Sequence, residues 1–170
     1  LCLLSAKPAL YVANVSEQDL NGNDQVTQLI DHAHKRQTQV VVVSAAIEQE
    51  ISEIDADERA GFLEDLGLES SGLDRVIRAG YALLGLQTFF TAGPKEVRAW
   101  TAPCGATAPQ AAGEIHTDFE RGFIRAETIA YDDFVQYQGE QGAREAGRLR
   151  LEGKEYVLSD GDIMHFRFNV

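Results

Sequence analysis

At 170 residues, 44% of them hydrophobic and 25% charged, the chain is long enough for one generous core or two small ones, and this composition argues against a disordered polymer. Its formal net charge of −12, from 27 acids against 15 Lys and Arg, argues against a dedicated DNA or RNA binder, because nucleic-acid phosphates have to be met by clustered cations. No run approaches the ~20 apolar residues of a membrane span, so no membrane partner is expected.

The acid excess is uneven. Residues 1–85 hold 14 acids against 6 Lys and Arg, and residues 86–170 hold 13 against 9, so any phosphate contact is expected in the second half. The two cysteines, Cys2 and Cys104, are too few for a disulfide framework and stand at no metal-ligand spacing, which suits plain thiols in a reducing cytoplasm. The chain opens on Leu1-Cys2-Leu3-Leu4 without Met or a basic leader, and a region ahead of it is expected rather than a signal peptide.

After Lys7-Pro8, the short apolar run Ala9 to Ala13 predicts a buried strand of a parallel sheet, ending at Asn14-Val15-Ser16-Glu17. Between Asp24 and Gln37, Val26, Leu29, Ile30 and Ala33 recur at helical spacing, and Val40 to Val43 read as a second buried strand reached by a right-handed crossover. Ser44-Ala45-Ala46 opens a further helix with Ile47, Ile51 and Ile54 on one face. Two more helices, Asp57 to Leu66 and Leu73 to Leu84, are closed by Gly67 and Gly85.

From Gln87 the pattern turns β-rich. Thr88 to Thr91 and Val97 to Thr101, joined through Gly93-Pro94-Lys95-Glu96, predict a hairpin. Thr107 caps a short helix to Ile115, and Phe123 to Ile129 alternates as a strand. Arg148 to Leu151, Tyr156 to Leu158 and Ile163 to Phe168 alternate in turn, separated by turns at Glu152-Gly153 and Asp160-Gly161-Asp162. The expected organisation is an α/β piece over residues 1–85, followed by an α+β module over 86–170.

In open α/β sheets ligands lie beyond the carboxyl ends of the strands, which nominates Asn14, Val15, Ser16 and Glu17 after the first strand and Ser44, Ala45 and Ala46 after the second. P-loop GTPases place Asn-Lys-x-Asp at such a strand end, the Asp accepting the N–H groups of guanine. Here Val15 replaces the Lys and Glu17 the Asp, changes that weaken guanine selection. Read alone, an Asn-x-x-Glu after a strand is also what an ordinary turn or helix cap looks like, and both readings stand.

Other candidates have structural readings. His116 and Asp118, two apart with no third ligand in reach, suit capping better than a metal site. His32 and His34 fall on a polar helix face, and His165 on a sheet surface. Arg121, Arg125, Arg144, Arg148, Arg150, Lys154 and Arg167 are a candidate patch for ribosomal RNA, but Glu140, Glu145, Glu152 and Glu155 among them favour a mixed, solvated surface. Phe89, Phe90 and Trp100 read as core rather than stacking platforms.

The segment Lys7 to Glu17 resembles the base-recognition segment of the YchF family of Obg-like ATPases. So do Arg75 to Tyr81, Thr91 to Thr101, Ile115 to Glu127 and the ending Asp160-Gly161-Asp162-Ile163-Met164-His165-Phe166-Arg167-Phe168-Asn169-Val170, and together they cover the chain in order. The resemblance implies the end of a P-loop nucleotide-binding domain followed by a TGS domain of β-grasp, ubiquitin-like fold. It implies an ATP-preferring switch that hydrolyses ATP with Mg²⁺ and meets the ribosome or its RNA. It puts base contacts on Asn14 and the main chain near Val15, with Ser44, Ala45 and Ala46 flanking the base. No Gly-x-x-x-x-Gly-Lys-Ser/Thr loop and no strand-terminal Asp-x-x-Gly is present, so no catalytic residue is expected in this chain, and alone it is expected to be inactive. By the same resemblance Leu1 to Ser5 end an inserted helical hairpin. The alternatives are a GTP-selective switch and a stand-alone TGS module that binds RNA or ribosome without nucleotide.

Overall fold

The computed structural model describes residues 3, 6–93 and 96–169, which divide into two compact units between Leu84 and Gly85. Cys2, the expected helical turn over Leu1 to Ser5, the Pro94-Lys95 part of the hairpin turn and Val170 lie outside the described residues.

The first unit opens with β1 (Tyr11–Asn14), a short 3-10 turn (Glu17–Asp19), α1 (Asp24–Lys35) and β2 (Val40–Val43). Asn23 starts α1 by accepting the Val26 N–H at 2.9 Å on its side-chain oxygen, and the last turn carries His32, His34 and Lys35 where cations meet the negative helix end. His32 and His34 are exposed, and the His32 ring also meets Tyr11 edge-on at 5.9 Å. The strands pair in parallel, Tyr11 with Val40 through Asn14 with Val43. Then follow α2 (Ala45–Glu53), α3 (Arg59–Asp65) and α4 (Gly72–Leu84). Gly67, at φ +67°, closes α3 as expected: its N–H donates to the Glu64 carbonyl and that of Leu68 to Leu63, both at 2.9 Å.

The expectation of two buried strands is corrected for β1. Its residues alternate between half-buried and exposed, and Val12 is 49% exposed, because the sheet of this unit has two strands and an apolar run reports strand propensity without saying how many neighbours cover it. The buried apolar residues here are Val26, Ala33, Val41, Ile47 and Ile51.

The second unit runs β3 (Leu86–Ala92), β4 (Val97–Pro103), α5 (Ala108–Ile115), α6 (Thr117–Arg121), β5 (Phe123–Ile129), α7 (Tyr131–Gln136), α8 (Glu140–Glu145), β6 (Arg150–Glu152) and β7 (Ile163–Phe168). The five strands form one mixed sheet in the order β4-β3-β7-β5-β6, with β3 and β7 parallel and the other pairs antiparallel. Thr107 and Gln110 form a capping box at the start of α5, whose buried Ala108, Ala111 and Ala112 join Phe89, Ala102, Phe123, Met164 and Phe166 in the core. The small alanine face lets the helix approach the sheet closely.

Two expectations change here. Tyr156 to Leu158 is not a strand: a single bridge joins Val157 to Thr107, since the alternating side chains find one backbone partner and not a ladder. The short helices α6, α7 and α8 replace segments for which no helix is expected, because each has at most six residues and too few turns to display a period. Among the described residues no helix is long and apolar enough to cross a membrane.

Candidate functional site

At the carboxyl ends of β1 and β2 the chain turns twice, and one side chain ties the turns together. Asn14, the last residue of β1, accepts the Ala45 N–H at 3.0 Å on Oδ1, while the Val15 N–H donates to the Val43 carbonyl at 2.8 Å. Asn14 is exposed, and its Nδ2 has no partner among the described residues, so the amide presents two donors to solvent beside a fixed acceptor. Ser16 Oγ donates to Asp19 at 2.7 Å, holding the 3-10 turn that begins at the exposed Glu17.

Ser44 stands at the N-cap of α2 but makes no side-chain cap bond. It is 2% exposed, and its Oγ has no hydrogen-bond partner among the described residues. Ala45 and Ala46 form the first turn of α2 and are exposed. The fold thus joins Asn14 to Ala45 directly and Val15 to the strand preceding Ser44, while Ser16 and Glu17 face away from that bond toward the next turn. A cleft of about 340 Å³ opens beside them, lined by Asn14, Val15, Ser16, Asp19, Asn23 and Val26 among others.

Two residues that support this corner carry no local sequence signal. Asp19 holds Ser16. Glu48, one turn into α2, accepts the Gly72 N–H at 2.7 Å and the Leu73 N–H at 3.1 Å and so caps α4 from 24 residues away. A capping box would have betrayed a local cap; a carboxylate arriving from another helix leaves no spacing to read.

In the second unit most of the candidate basic residues are already paired. Arg144 meets Glu140 at 2.7 Å and Glu127 at 3.7 Å, Arg148 meets Asp133 at 3.7 Å, and Arg167 meets Glu127 at 3.2 Å. Arg150 reaches Glu152 at 3.6 Å and the buried Asp162 at 3.4 Å. Asp162, 1% exposed, also accepts the Tyr156 hydroxyl at 2.6 Å and the Ser159 N–H at 2.9 Å, so Arg150 belongs to a structural network. Burial, reinforced by the Asp162 carboxylate, pushes the Tyr156 hydroxyl above its ordinary pKa. Arg121, Arg125 and Lys154 are exposed and make no ion pair among the described residues. The mixed surface expected from the sequence is what the second unit presents.

The remaining candidates are structural. His116 Nδ1 accepts the Asp118 N–H at 3.2 Å as the cap of α6, the capping role its spacing suggests. His165 is exposed on β7, Phe89 is fully buried, and Cys104 is an exposed free thiol. Trp100 packs against the core with the Arg98 guanidinium 4.0 Å above its ring.

A parallel βαβ unit with polar turns at its strand ends, followed by a mixed-sheet α+β unit, is the architecture of a ligand-binding α/β protein carrying an appended module. The family model YchF-GTPase_C, described as a protein of unknown function, matches residues 86–169. The chain is 63% identical over 98% of its length to the ribosome-binding ATPase YchF of Pasteurella multocida, covering 46% of that protein. It is 57% identical to the protein of the same name from Bacillus subtilis, over all of this chain and 47% of the relative. The solved Schizosaccharomyces pombe YchF GTPase superposes on 97% of this chain and 44% of its own with a TM-score of 0.79 at 38% identity. The chain belongs to the YchF family, and it spans about half the length of the curated relatives it matches.

Proposed function

We propose that this chain supplies the base-recognition corner and the TGS module of a longer, ribosome-associated NTPase that prefers ATP to GTP. The observation that carries the reading is the bond from Ala45 N–H to Asn14 Oδ1. It points the Asn14 amide nitrogen outward, where it can donate to the N7 acceptor common to purines.

The same corner bears on the choice of purine. The N–H groups of Val15 and Ala45 are already spent on Val43 and Asn14, so neither is left to donate to the O6 acceptor of guanine. An adenine, whose N6 amino group is itself a donor, asks for a main-chain carbonyl instead. Val15 in place of a Lys and Glu17 in place of an Asp further reduce the grip on guanine. Ser44, Ala45 and Ala46 flank the base in this reading, with Ser16 and Glu17 on the opposite turn.

These residues fit the base and not the phosphates. The chain has no phosphate loop, and among the described residues no cluster of three or more His, Cys, Asp or Glu is placed to hold a metal ion. The phosphate grip, Mg²⁺ and the hydrolytic step to ADP and phosphate therefore fall to the longer protein, and this chain alone is inactive. Bound there, Mg²⁺ offsets the phosphate charge.

The β-grasp, TGS reading of the second unit is supported by its strand order, with the first and last strands parallel at the centre and α5 packed across one face. Arg121, Arg125 and Lys154 are the cations with an uncompensated charge to offer ribosomal RNA, whereas Arg144, Arg148 and Arg150 serve internal pairs first. Such a protein works in the cytoplasm.

The test is displacement of a fluorescent ATP analogue from a longer protein that joins this chain to the family's phosphate-binding region. ATP is expected to compete better than GTP. Asn14→Asp keeps an acceptor for Ala45 but removes the amide donors, so it should weaken analogue binding about tenfold or more, the loss of one buried polar contact, while leaving the melting temperature unchanged. GTP displacing the analogue as well as ATP does, or unaltered binding by Asn14→Asp, would overturn the reading. Ribosome co-sedimentation with no nucleotide bound at all would assign the chain to a stand-alone binding module.

A further inference from the structure

The sheet of the second unit ends on a long strand whose outer edge is unguarded. Strand β4 pairs with β3 without a bulge from Val97 to Pro103 and has no strand on its other side. The direction of its backbone groups follows from the flanking bonds: the Gly93 N–H donates to the Glu96 carbonyl at 2.9 Å and the Cys104 N–H to the Gly85 carbonyl at 2.7 Å. Because ladder bonds recur at every second pair of an antiparallel ladder, Arg98, Trp100 and Ala102 turn their N–H and C=O groups toward β3. Val97 and Ala99 turn theirs outward. The β3 side agrees, since the Phe90 N–H and the Thr88 carbonyl bond instead to Asp162 and Gly161, on the side of β7.

Exposed edges are normally protected by charges, prolines or bulges. Here the outward positions Val97, Ala99 and Thr101 are uncharged, exposed side chains, Val97 at 73%, and the first proline is Pro103 at the strand's end. Side chains on the opposite face add a selective element. Arg98 has no ion pair among the described residues and lies over Trp100, whose Nε1 donates to Thr91 at 2.9 Å.

We propose that β4 is the docking edge for a second copy of this chain, pairing antiparallel with β4 of that copy about a two-fold axis at Ala99. This register sets Val97 opposite Thr101 and Arg98 opposite Trp100, so each guanidinium meets an aromatic ring across the junction as it does within its own chain. Sliding by one pair either way sets Arg98 against Arg98 or leaves both guanidinium groups without a facing ring. The strand is thus complementary to itself in one register, the condition an isologous contact requires.

The experiment is sedimentation velocity of the full chain from about 10 to about 500 µM, at about 0.15 M salt where a Debye length of about 8 Å screens the like net charges. The wild type is expected to shift from monomer to dimer as concentration rises, with hydrogen exchange at Val97 and Ala99 slowing in step. Ala99→Lys and Ala99→Glu each set like charges opposite one another at the axis and should stay monomeric. Mixed in equal amounts they should recover the dimer, an outcome that a variant disturbed only in its fold does not give. A wild type that stays monomeric throughout, a dimer unaffected by either variant, or a mixture that fails to recover would overturn the proposal.

Discussion

Glu127 illustrates how a single residue on the second sheet responds to its neighbours. Its carboxylate takes a forked contact from Arg167, at 3.2 and 3.5 Å, with Arg144 at 3.7 Å behind it. The Arg167 hydrogen bond, aided by the charges of Arg167, His165 and Arg144 and opposed by burial, holds its pKa below the ordinary value. A depressed carboxylate pKa favours the charged form in the folded state, so the stability it adds is present above the unfolded pKa and is lost as the pH falls through the folded one. The melting temperature of the wild type should therefore drop more steeply below the ordinary Glu range of about 4 to 4.5 than that of Glu127→Gln. Parallel melting curves of the two proteins from neutral to acid pH check this, and equal slopes would detach Glu127 from acid stability.

At the scale of elements, α4 begins where its own sequence does not cap it fully. Ser71 Oγ accepts the Asp74 N–H at 3.0 Å, but the Gly72 and Leu73 amides depend on Glu48 from α2. Gly72 is required there: a Cβ on it would lie 2.8 Å from Glu48 Oε1 and 3.0 Å from Val43 Cγ1. Glu48→Ala strands two amides at a half-buried helix start and should cost about 1–2 kcal/mol in urea unfolding, with faster exchange at Gly72 and Leu73. Glu48→Gln, which keeps one acceptor oxygen, should lose less. Unchanged exchange at both amides in Glu48→Ala would show that water replaces the carboxylate at no cost.

The molecule as a whole carries two cores of unequal weight. The first unit buries five apolar residues, while the cluster in the second holds eleven, among them Phe89, Phe123, Met164 and Phe166. Since stability follows buried apolar area, the first unit should unfold at lower denaturant than the second. Trp100, the single tryptophan, lies in the second unit, so its fluorescence should persist after part of the far-ultraviolet helix signal is gone. Coincident midpoints for the two signals would mean one cooperative unit instead.

The sequence by itself determined the features that depend on neighbours a few residues apart. Helical spacing placed α1, α2 and α4, alternation placed the β3–β4 hairpin and β5, and the glycine at position 67 marked the end of α3. It also nominated Asn14 and Ala45 as ends of neighbouring parallel strands, because in an α/β crossover both carboxyl ends face the same side. Only the tertiary structure decided that Asn14 bonds Ala45, that Glu48 caps α4, that Asp162 takes Arg150 out of the basic surface, and that the outward groups of β4 are left without a strand. Each of these joins groups distant along the chain or depends on what lies beside an element. Local propensity carries no information about such partners, which exist only once the chain has closed its loops and placed them within bonding distance.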